Sequence, residues 1–440
     1  MDTMADLIIN CGTLLTVNGQ DDILSNVSVI VKGDRIIEIL PISQNQKYKC
    51  DNVVSAEEHI VMPGFVNTHT HLGMSYFKGL SDDQPLEKWL NDHIWPAEAR
   101  CINQEFVYDA TLHGMAELIK NGTTYFNDMY FLPLESIRAC SEVGLRANFC
   151  DTVLDSDLGD YHIAGLNERN IHIYIDKIAT RRNSPMDISY GPHSVYTVSE
   201  ETWKAVCKNA RWKNRLIHTH LCETITEVEN CKQKYGRSPI RFLHDCGAFE
   251  SNVIFAHGVH LDDEDFQILK DFDEVSVSIN LHSNLKLASG IAPIKKYLDH
   301  GINITFGTDS VASNNSLSIS DEISTAAKLY KAVYNDPTIL PAKQLVRMAT
   351  INGANGLNRF NNTGSIEVGK YADIICINVE NFQNQPIYDP YSFIVYSMNK
   401  NDICHTIVNG KILMKDRNLT TINEELLHQN VIKYKKIVKE

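Results

Sequence analysis

Residues 59–71 read HIVMPGFVNTHTH, an apolar run interrupted by Pro63–Gly64 and closed by two histidines one residue apart. Side chains repeat every two residues along a strand, so His69 and His71 share one face and can present two imidazoles to one ion. Two unrelated core or surface histidines give the same pattern. What separates the two readings is where the other candidate ligands fall along the chain.

Similar short apolar runs recur: TTYFNDMY (123–130), RANFCD (146–151), DISYGPH (187–193), RLIHTH (215–220), NVIFAHG (252–258), EVSVSIN (274–280) and NITFGTD (303–309). Helix-like stretches fill the gaps, such as EFVYDATLHGMAELIKNG with Gly122 as its stop, ESIRACSEVG with Gly144, and SISDEISTAAKLYKAVY. Eight strands, each followed by helical material, predict a (β/α)₈ barrel, class α/β; a doubly wound open sheet alternates in the same way. Outside this array the texture is β-rich. DLIINCGTLLTV and SNVSVIVKGDRIIEIL, with a Gly33–Asp34 turn, have their counterpart in YADIICINV and DICHTIVNGKILM, with a turn at Asn409–Gly410. The expected organisation is a small β-sandwich domain built from 1–60 and 362–425, a catalytic barrel over 61–361, and a tail or helix over 426–440.

With 41 Lys+Arg against 55 Asp+Glu the net charge is −14, which argues against nucleic acid as a partner, since a phosphate backbone is bound through a basic surface. The start, MDTMADLIIN, lacks the basic flank and long apolar run of a secretory signal, and no apolar stretch approaches the ~20 residues of a membrane span. A cytoplasmic protein is expected. The 11 cysteines contain no CxxC pair, so reduced thiols packed as small hydrophobes are expected, and any metal must come from the 17 histidines.

Those histidines cluster at strand ends. His69 and His71 close the first strand, His193 the fourth, His218 and His220 the fifth and His257 the sixth, while Asp309 closes the eighth. In a (β/α)₈ barrel these ends form the active-site mouth. His220 can add a third nitrogen and Asp309 an oxygen, a His₃Asp set that leaves a position for water as a catalytic zinc site requires. The pair His218–Thr219–His220 is ambiguous by the same period-two rule. Glu223 sits where the fifth strand gives way to its loop and can reach back over the metal; it also suits the N-terminus of the next helix. By sequence alone Glu98, in WPAEAR, reads as a solvated loop acid and Trp89 as a packing aromatic, and Asp128 has no nameable partner. No GxSxG elbow, Walker A loop, HExxH helix or cytidine-deaminase zinc signature is present. His193, not a lysine, ends the fourth strand, so one metal is the simpler expectation.

PGFVNTHTH, LIHTHLCET, AHGVHL and FGTDSVASNNSL together resemble the amidohydrolase superfamily from Asp6 to about Met414. LEKWLNDHIWPAEAR, YGPHSVYT and SNLKLASGIAPI are most similar to the 5′-methylthioadenosine/S-adenosylhomocysteine deaminases within it, and GSIEVGKYADIICI fits the return to the β-domain. The resemblance implies that His69, His71, His220 and Asp309 hold one Zn²⁺ per subunit, another divalent metal being possible. It implies Glu223 as the proton-shuttling acid/base, His257 as the residue holding or activating water, and Asp309 as a second proton acceptor. Glu98 would bind the ribose hydroxyls, Trp89 would line the nucleoside pocket, and His193 would touch the substrate. The implied reaction replaces the 6-amino group of an adenine nucleoside (5′-methylthioadenosine, adenosine or S-adenosylhomocysteine) with oxygen, releasing ammonia. A small-molecule nucleoside and further copies of the chain are the implied partners, with no nucleic acid or membrane.

The chain departs from that pattern twice. After the third strand, where arginines would meet the amino-acid carboxylate of S-adenosylhomocysteine, it reads CDTVLDSDLGDYHIAGLNERN, with Asp155, Asp157 and Asp160 and only Arg169. This acidic segment predicts poorer use of S-adenosylhomocysteine than of methylthioadenosine or adenosine. Ile279 and Leu281 stand where a His and a Pro are usual, which leaves the pocket wall beyond strand seven open. The alternative reading is an amidohydrolase acting on another amino- or halo-substituted heterocycle (guanine-type, pterin or triazine), which would not need the ribose contacts of Glu98 and Trp89. A non-enzymatic barrel would be marked by a lost ligand, and none is lost.

Overall fold

Pro63 and Gly64 divide the opening stretch between two sheets. In the computed structural model, which describes residues 3–155 and 186–439, the N-terminal strands are β1 (Leu7–Leu15), β2 (Ile23–Lys32), β3 (Arg35–Pro41) and β4 (Val53–Pro63). Eight parallel strands follow: β5 (Phe65–Thr70), β6 (Thr123–Tyr130), β7 (Arg146–Val153), β8 (Met186–Pro192), β9 (Ile217–Leu221), β10 (Val253–His257), β11 (Val275–Ile279) and β12 (Asn303–Phe306). The chain ends with β13 (Ile374–Asn378), β14 (Ile403–Val408), β15 (Lys411–Lys415) and β16 (Asn418–Leu419). The single strand expected over 59–71 is therefore two. Proline offers no N–H to continue the ladder, and at Gly64 a Cβ would run into the Thr124 side chain at 2.1 Å, so only glycine lets the chain cross.

The parallel strands pair in sequence order, each with the next. The ring is drawn together between β12 and β5 by the Asp309 N–H, which donates to the His69 carbonyl at 2.9 Å, and by the Thr68 hydroxyl, which donates to the Phe306 carbonyl at 2.9 Å. This is the (β/α)₈ barrel. Its interior carries satisfied polar groups as well as apolar ones: the Thr68 hydroxyl lies 2.7 Å from that of Ser278 and 2.8 Å from that of Thr305, and Asn148 donates to Asn127 and Ser189.

The other sheet has the order β16-β15-β14-β13-β4-β1-β2-β3, so strands from both chain ends meet where β13 pairs with β4. Its far edge folds back: the Ile36 N–H donates to the Lys370 carbonyl and the Ala372 N–H to the Asp34 carbonyl, both at 2.9 Å. The two halves thereby enclose one core, with Leu7, Ile9, Val29 and Val31 packed with Ile374, Cys376 and Ile407. Four helices matter below: α1 (Trp95–Cys101), α2 (Gln104–Lys120), α3 (Ile319–Tyr334) and α4 (Glu424–Lys439). All cysteines are free thiols, ten of them buried. Among the described residues no helix is long and apolar enough to cross a membrane.

Candidate active site

Four donor atoms from three strand ends converge at the barrel mouth. Nε2 of His71 lies 3.2 Å from Nε2 of His69, 3.2 Å from Nε2 of His220 and 3.2 Å from Oδ1 of Asp309, while Nε2 of His69 is 3.5 Å from the same oxygen. Ligands about 2.0–2.1 Å from a tetrahedral zinc stand roughly 3.3 Å from each other, which these four separations match. Tautomers support the fit. Nδ1 of His71 donates to the Met129 carbonyl at 2.6 Å and Nδ1 of His220 to the His193 carbonyl at 2.8 Å, which leaves both Nε2 atoms as lone pairs facing one point. Burial pushes His69 down to about 3 and His220 well below its ordinary value, keeping both neutral. Burial also opposes charge on His71 and Asp309, yet their mutual attraction prevails, raising His71 and holding Asp309 well below the carboxylate range. Three nitrogens and a carboxylate that favours positive charge beside it are a donor set for a divalent cation.

Asp309 sits at φ 63°, in the left-handed region, three residues beyond the end of β12. A non-glycine residue keeps that conformation only when its surroundings hold it. Here Oδ2 accepts from Ser283 at 2.6 Å and Ser313 at 2.8 Å, and Oδ1 from the Ser310 N–H at 2.7 Å. Upstream, the Thr308 N–H donates to Asn67, and the Thr308 carbonyl accepts from Asn314, whose amide also donates to Glu322 on α3 at 2.7 Å. His257, at φ 74°, is fixed by Nδ1 against Asn284 Oδ1 at 2.8 Å and turns Nε2 toward Glu223 Oε2 at 3.8 Å. The Glu223 carboxyl is raised by burial and accepts from Ser289 at 3.3 Å. Glu227, on the next helix, holds the Glu223 backbone by accepting its N–H at 2.8 Å and that of Cys222 at 3.0 Å.

The cavity above these groups, about 400 Å³, is lined by His71, His193, His220, Glu223, His257 and Asp309 at its floor. Its walls are largely apolar: Met74, Leu86, Leu90, Ile94, Phe131 and Leu287. Glu98 and Trp89 bring polar atoms among them, as do Tyr130, Thr152 and Tyr196. Glu98 is not the solvated loop acid suggested by its local sequence. It lies on α1, 8% exposed, accepts from the Tyr130 hydroxyl at 2.8 Å, and is raised to about 7 by burial. Trp89 is 4% exposed and its buried indole N–H has no acceptor among the described residues, so a ligand oxygen is a partner its position allows. His193, pushed down to about 3 by burial, bonds through Nδ1 with Ser194 and Thr197.

The departures resolve in part. Ile279 and Leu281 are fully buried in the barrel core, and the cavity wall in that region is Leu287. Asp155 accepts from the Ser199 N–H at 2.6 Å and the Thr202 hydroxyl at 2.9 Å, at the start of the helix Glu200–Lys213. Asp157, Asp160 and Arg169 lie outside the described residues. Several positioning groups were invisible in the sequence: Asn284, Ser283, Ser313, Glu227, Tyr130 and Glu322. Asp128, without a nameable partner there, accepts from the Thr70 hydroxyl at 2.9 Å and the Leu72 N–H at 2.7 Å, fixing the turn that follows the His69–His71 strand.

A parallel eight-stranded barrel with a histidine–carboxylate donor set at its mouth defines the class of metal-dependent barrel hydrolases. The model of the Amidohydrolase family matches residues 60–413, and the chain belongs to that family. It is similar to a 5′-deoxyadenosine deaminase of Methanosarcina acetivorans, 40% identical with 96% of each chain covered. It is also similar to a 5-methylthioadenosine/S-adenosylhomocysteine deaminase of Thermodesulfovibrio yellowstonii, 38% identical over 97% of each chain. Among solved structures, an adenosine deaminase from Xanthomonas campestris with bound zinc superposes with a TM-score of 0.95 at 30% identity, covering all of both chains. The protein is thus a metal-dependent hydrolase acting on C–N bonds.

Proposed function

We propose that the chain is a zinc-dependent deaminase of adenine nucleosides, with one Zn²⁺ per subunit held by His69, His71, His220 and Asp309. The observation that carries this reading is the pairing of a tetrahedrally spaced donor set with a buried carboxyl–indole pair, Glu98 and Trp89, in one apolar cavity. A divalent cation bound there supplies nucleophilic oxygen from water at neutral pH. The chain's own residues do the rest. Asp309 and His257 take up the proton released as water attacks C6. Glu223, whose carboxyl is shifted by burial toward its protonated form, delivers a proton to N1 of the adenine ring, which removes the aromatic resistance to attack. The Glu223 carboxylate then takes the proton of the new C6 hydroxyl and passes it to the 6-amino group, which leaves as ammonia as the C6–N bond breaks and the C6 carbonyl forms. Glu98 accepts from the ribose hydroxyls, the Trp89 N–H donates to a sugar oxygen, and His193 contacts the substrate beside the donor set.

The apolar walls favour a small apolar 5′ group, so 5′-deoxyadenosine and 5′-methylthioadenosine should be better substrates than S-adenosylhomocysteine, whose charged end finds no cation among the described lining residues. We further propose that the enzyme works as a homo-oligomer in the cytoplasm. The test is ammonia release from 5′-methylthioadenosine, 5′-deoxyadenosine, adenosine and S-adenosylhomocysteine, before and after chelation and after adding back Zn²⁺. Release from the first three that vanishes on chelation and returns with the metal supports the reading. No release from any adenine nucleoside overturns it, and equal turnover of the homocysteine substrate overturns the 5′ preference alone.

A further inference from the structure

The first histidine of the fifth-strand pair, His218, takes no part in the reaction described above, yet it is fully buried directly behind His69. Its Nε2 lies 2.7 Å from Nδ1 of His69, with the two rings nearly perpendicular at 83°. The other two ligand histidines back onto carbonyl oxygens, which accept only, so their tautomers are fixed by their partners. His69 instead backs onto a second imidazole, which can either accept or donate. Were His218 to donate, the proton of His69 would sit on Nε2, among the metal donors.

The direction of that bond is set further back. Nδ1 of His218 lies 3.4 Å from Cys150 Sγ, and that sulfur is 3.4 Å from the Asp128 carbonyl. A carbonyl accepts only, so the Cys150 thiol proton points to it and the sulfur lone pairs face His218. Nδ1 of His218 then carries its proton toward the sulfur, Nε2 is left as an acceptor, and Nδ1 of His69 donates to it. Every proton in the row Asp128–Cys150–His218–His69 points away from the mouth of the barrel, and His69 Nε2 is left bare.

We propose that His218 is a positioning residue for the metal site: it accepts the Nδ1 proton of His69 and thereby holds that ring in the tautomer and orientation that ligate. The proposal rests on the reading of His69, His71, His220 and Asp309 as the metal shell. Loss of such an outer partner typically weakens metal binding about 10–100-fold.

The experiment measures Zn²⁺ affinity by competition with a chromophoric chelator for the full chain, for His218→Leu, for His218→Gln (which keeps an acceptor oxygen) and for His71→Ala. Proton NMR of the Co²⁺-loaded forms in H₂O and D₂O accompanies it. The leucine variant should bind about 10–100-fold more weakly and the glutamine variant within a few-fold of the parent. Co²⁺-loaded parent protein should show three exchangeable, hyperfine-shifted imidazole N–H lines, from His69, His71 and His220. The leucine variant should lose one of them and the glutamine variant should keep all three. Parent-like affinity with all three lines in His218→Leu overturns the proposal. Only two exchangeable lines in the parent overturn it as well, and that result needs no variant to fold. Undiminished affinity in His71→Ala would instead overturn the metal shell itself, a different outcome from failure of His218 alone.

Discussion

Glu223 and Glu98 are both carboxyls raised by burial, and the same physical cause serves two different ends. Glu223 faces His257 and the donor atoms, where a held proton can move to a ring nitrogen. Its replacement Glu223→Gln should lower kcat by about 10²–10⁴ while leaving Zn²⁺ stoichiometry, measured by elemental analysis, unchanged. A variant that kept full turnover would take the proton-transfer role away from this residue. In its proposed role toward the ribose hydroxyls Glu98 has to accept, so its ionised form is the useful one. With a value of about 7 against an ordinary 4.5, that form becomes dominant only above neutrality, and KM for adenosine should fall as pH rises through 7. A bond to a charged acceptor contributes about 1.5–3 kcal/mol, so Glu98→Gln should raise KM roughly 10–100-fold and flatten this pH dependence. The convergence of His69, His71, His220 and Asp309 was legible in the sequence because a strand's period of two and the barrel's geometry place HxH and strand-terminal residues without any knowledge of packing. Glu98 was misread because its burial comes from Tyr130 and from the apolar segment 86–95 closing over it, contacts that no local pattern records.

At the scale of elements, α3 shows how a helix outside the barrel reaches the site. Its Glu322 is fully buried, and burial raises its carboxyl to about 8 although it accepts from the His282 N–H at 3.2 Å and from Asn314. The folded state therefore binds a proton more readily than the unfolded chain between about 4.5 and 8. The stability this group contributes is complete below 4.5 and is lost as pH rises through 8. Urea unfolding at pH 5 and pH 8 should show a larger loss of stability in the parent than in Glu322→Gln, whose amide never ionises. Equal pH dependence would mean that the carboxyl is not held protonated. The number of strands and their places along the chain followed from apolar runs and turn residues, since each strand announces itself locally, whereas their order in a closed ring did not, because a doubly wound sheet alternates in the same way. The Asn314–Glu322 clamp on Thr308 did not, because it joins a loop and a helix whose meeting depends on how the ring closes.

At the scale of the molecule, a buried ion pair links the composite β-domain to the barrel, beside apolar contacts in which Met62, Ile375, Ile403 and Leu413 pack with the barrel core. Arg146, the first residue of β7, donates through Nε to Asp373 at 2.8 Å, and the two side chains are 4% and 1% exposed. Asp373 also accepts from the Asn409 N–H at 2.9 Å and the Thr363 hydroxyl at 2.7 Å, its carbonyl accepts from the Gly64 N–H, and the guanidinium lies 3.9 Å from the centroid of the Tyr371 ring. The crossing at Gly64, the hairpin turn at Asn409 and the first barrel strands are thus fastened at one point. Removing one member of a buried pair leaves the other charged and without its counter-ion, a loss of about 3–5 kcal/mol. Asp373→Ala should therefore destabilise the whole chain by that order, whereas Asp373→Asn, which keeps an acceptor for the Asn409 N–H, should cost less. All four tryptophans (Trp89, Trp95, Trp203 and Trp212) belong to the barrel part of the sequence, so their fluorescence in urea reports barrel unfolding although the substitution sits in the other domain. A lowered midpoint in that signal means that the two bodies unfold as one cooperative unit to which this pair contributes. An unmoved midpoint means that the barrel stands without the β-domain, and that both chain ends meet it without contributing to its stability.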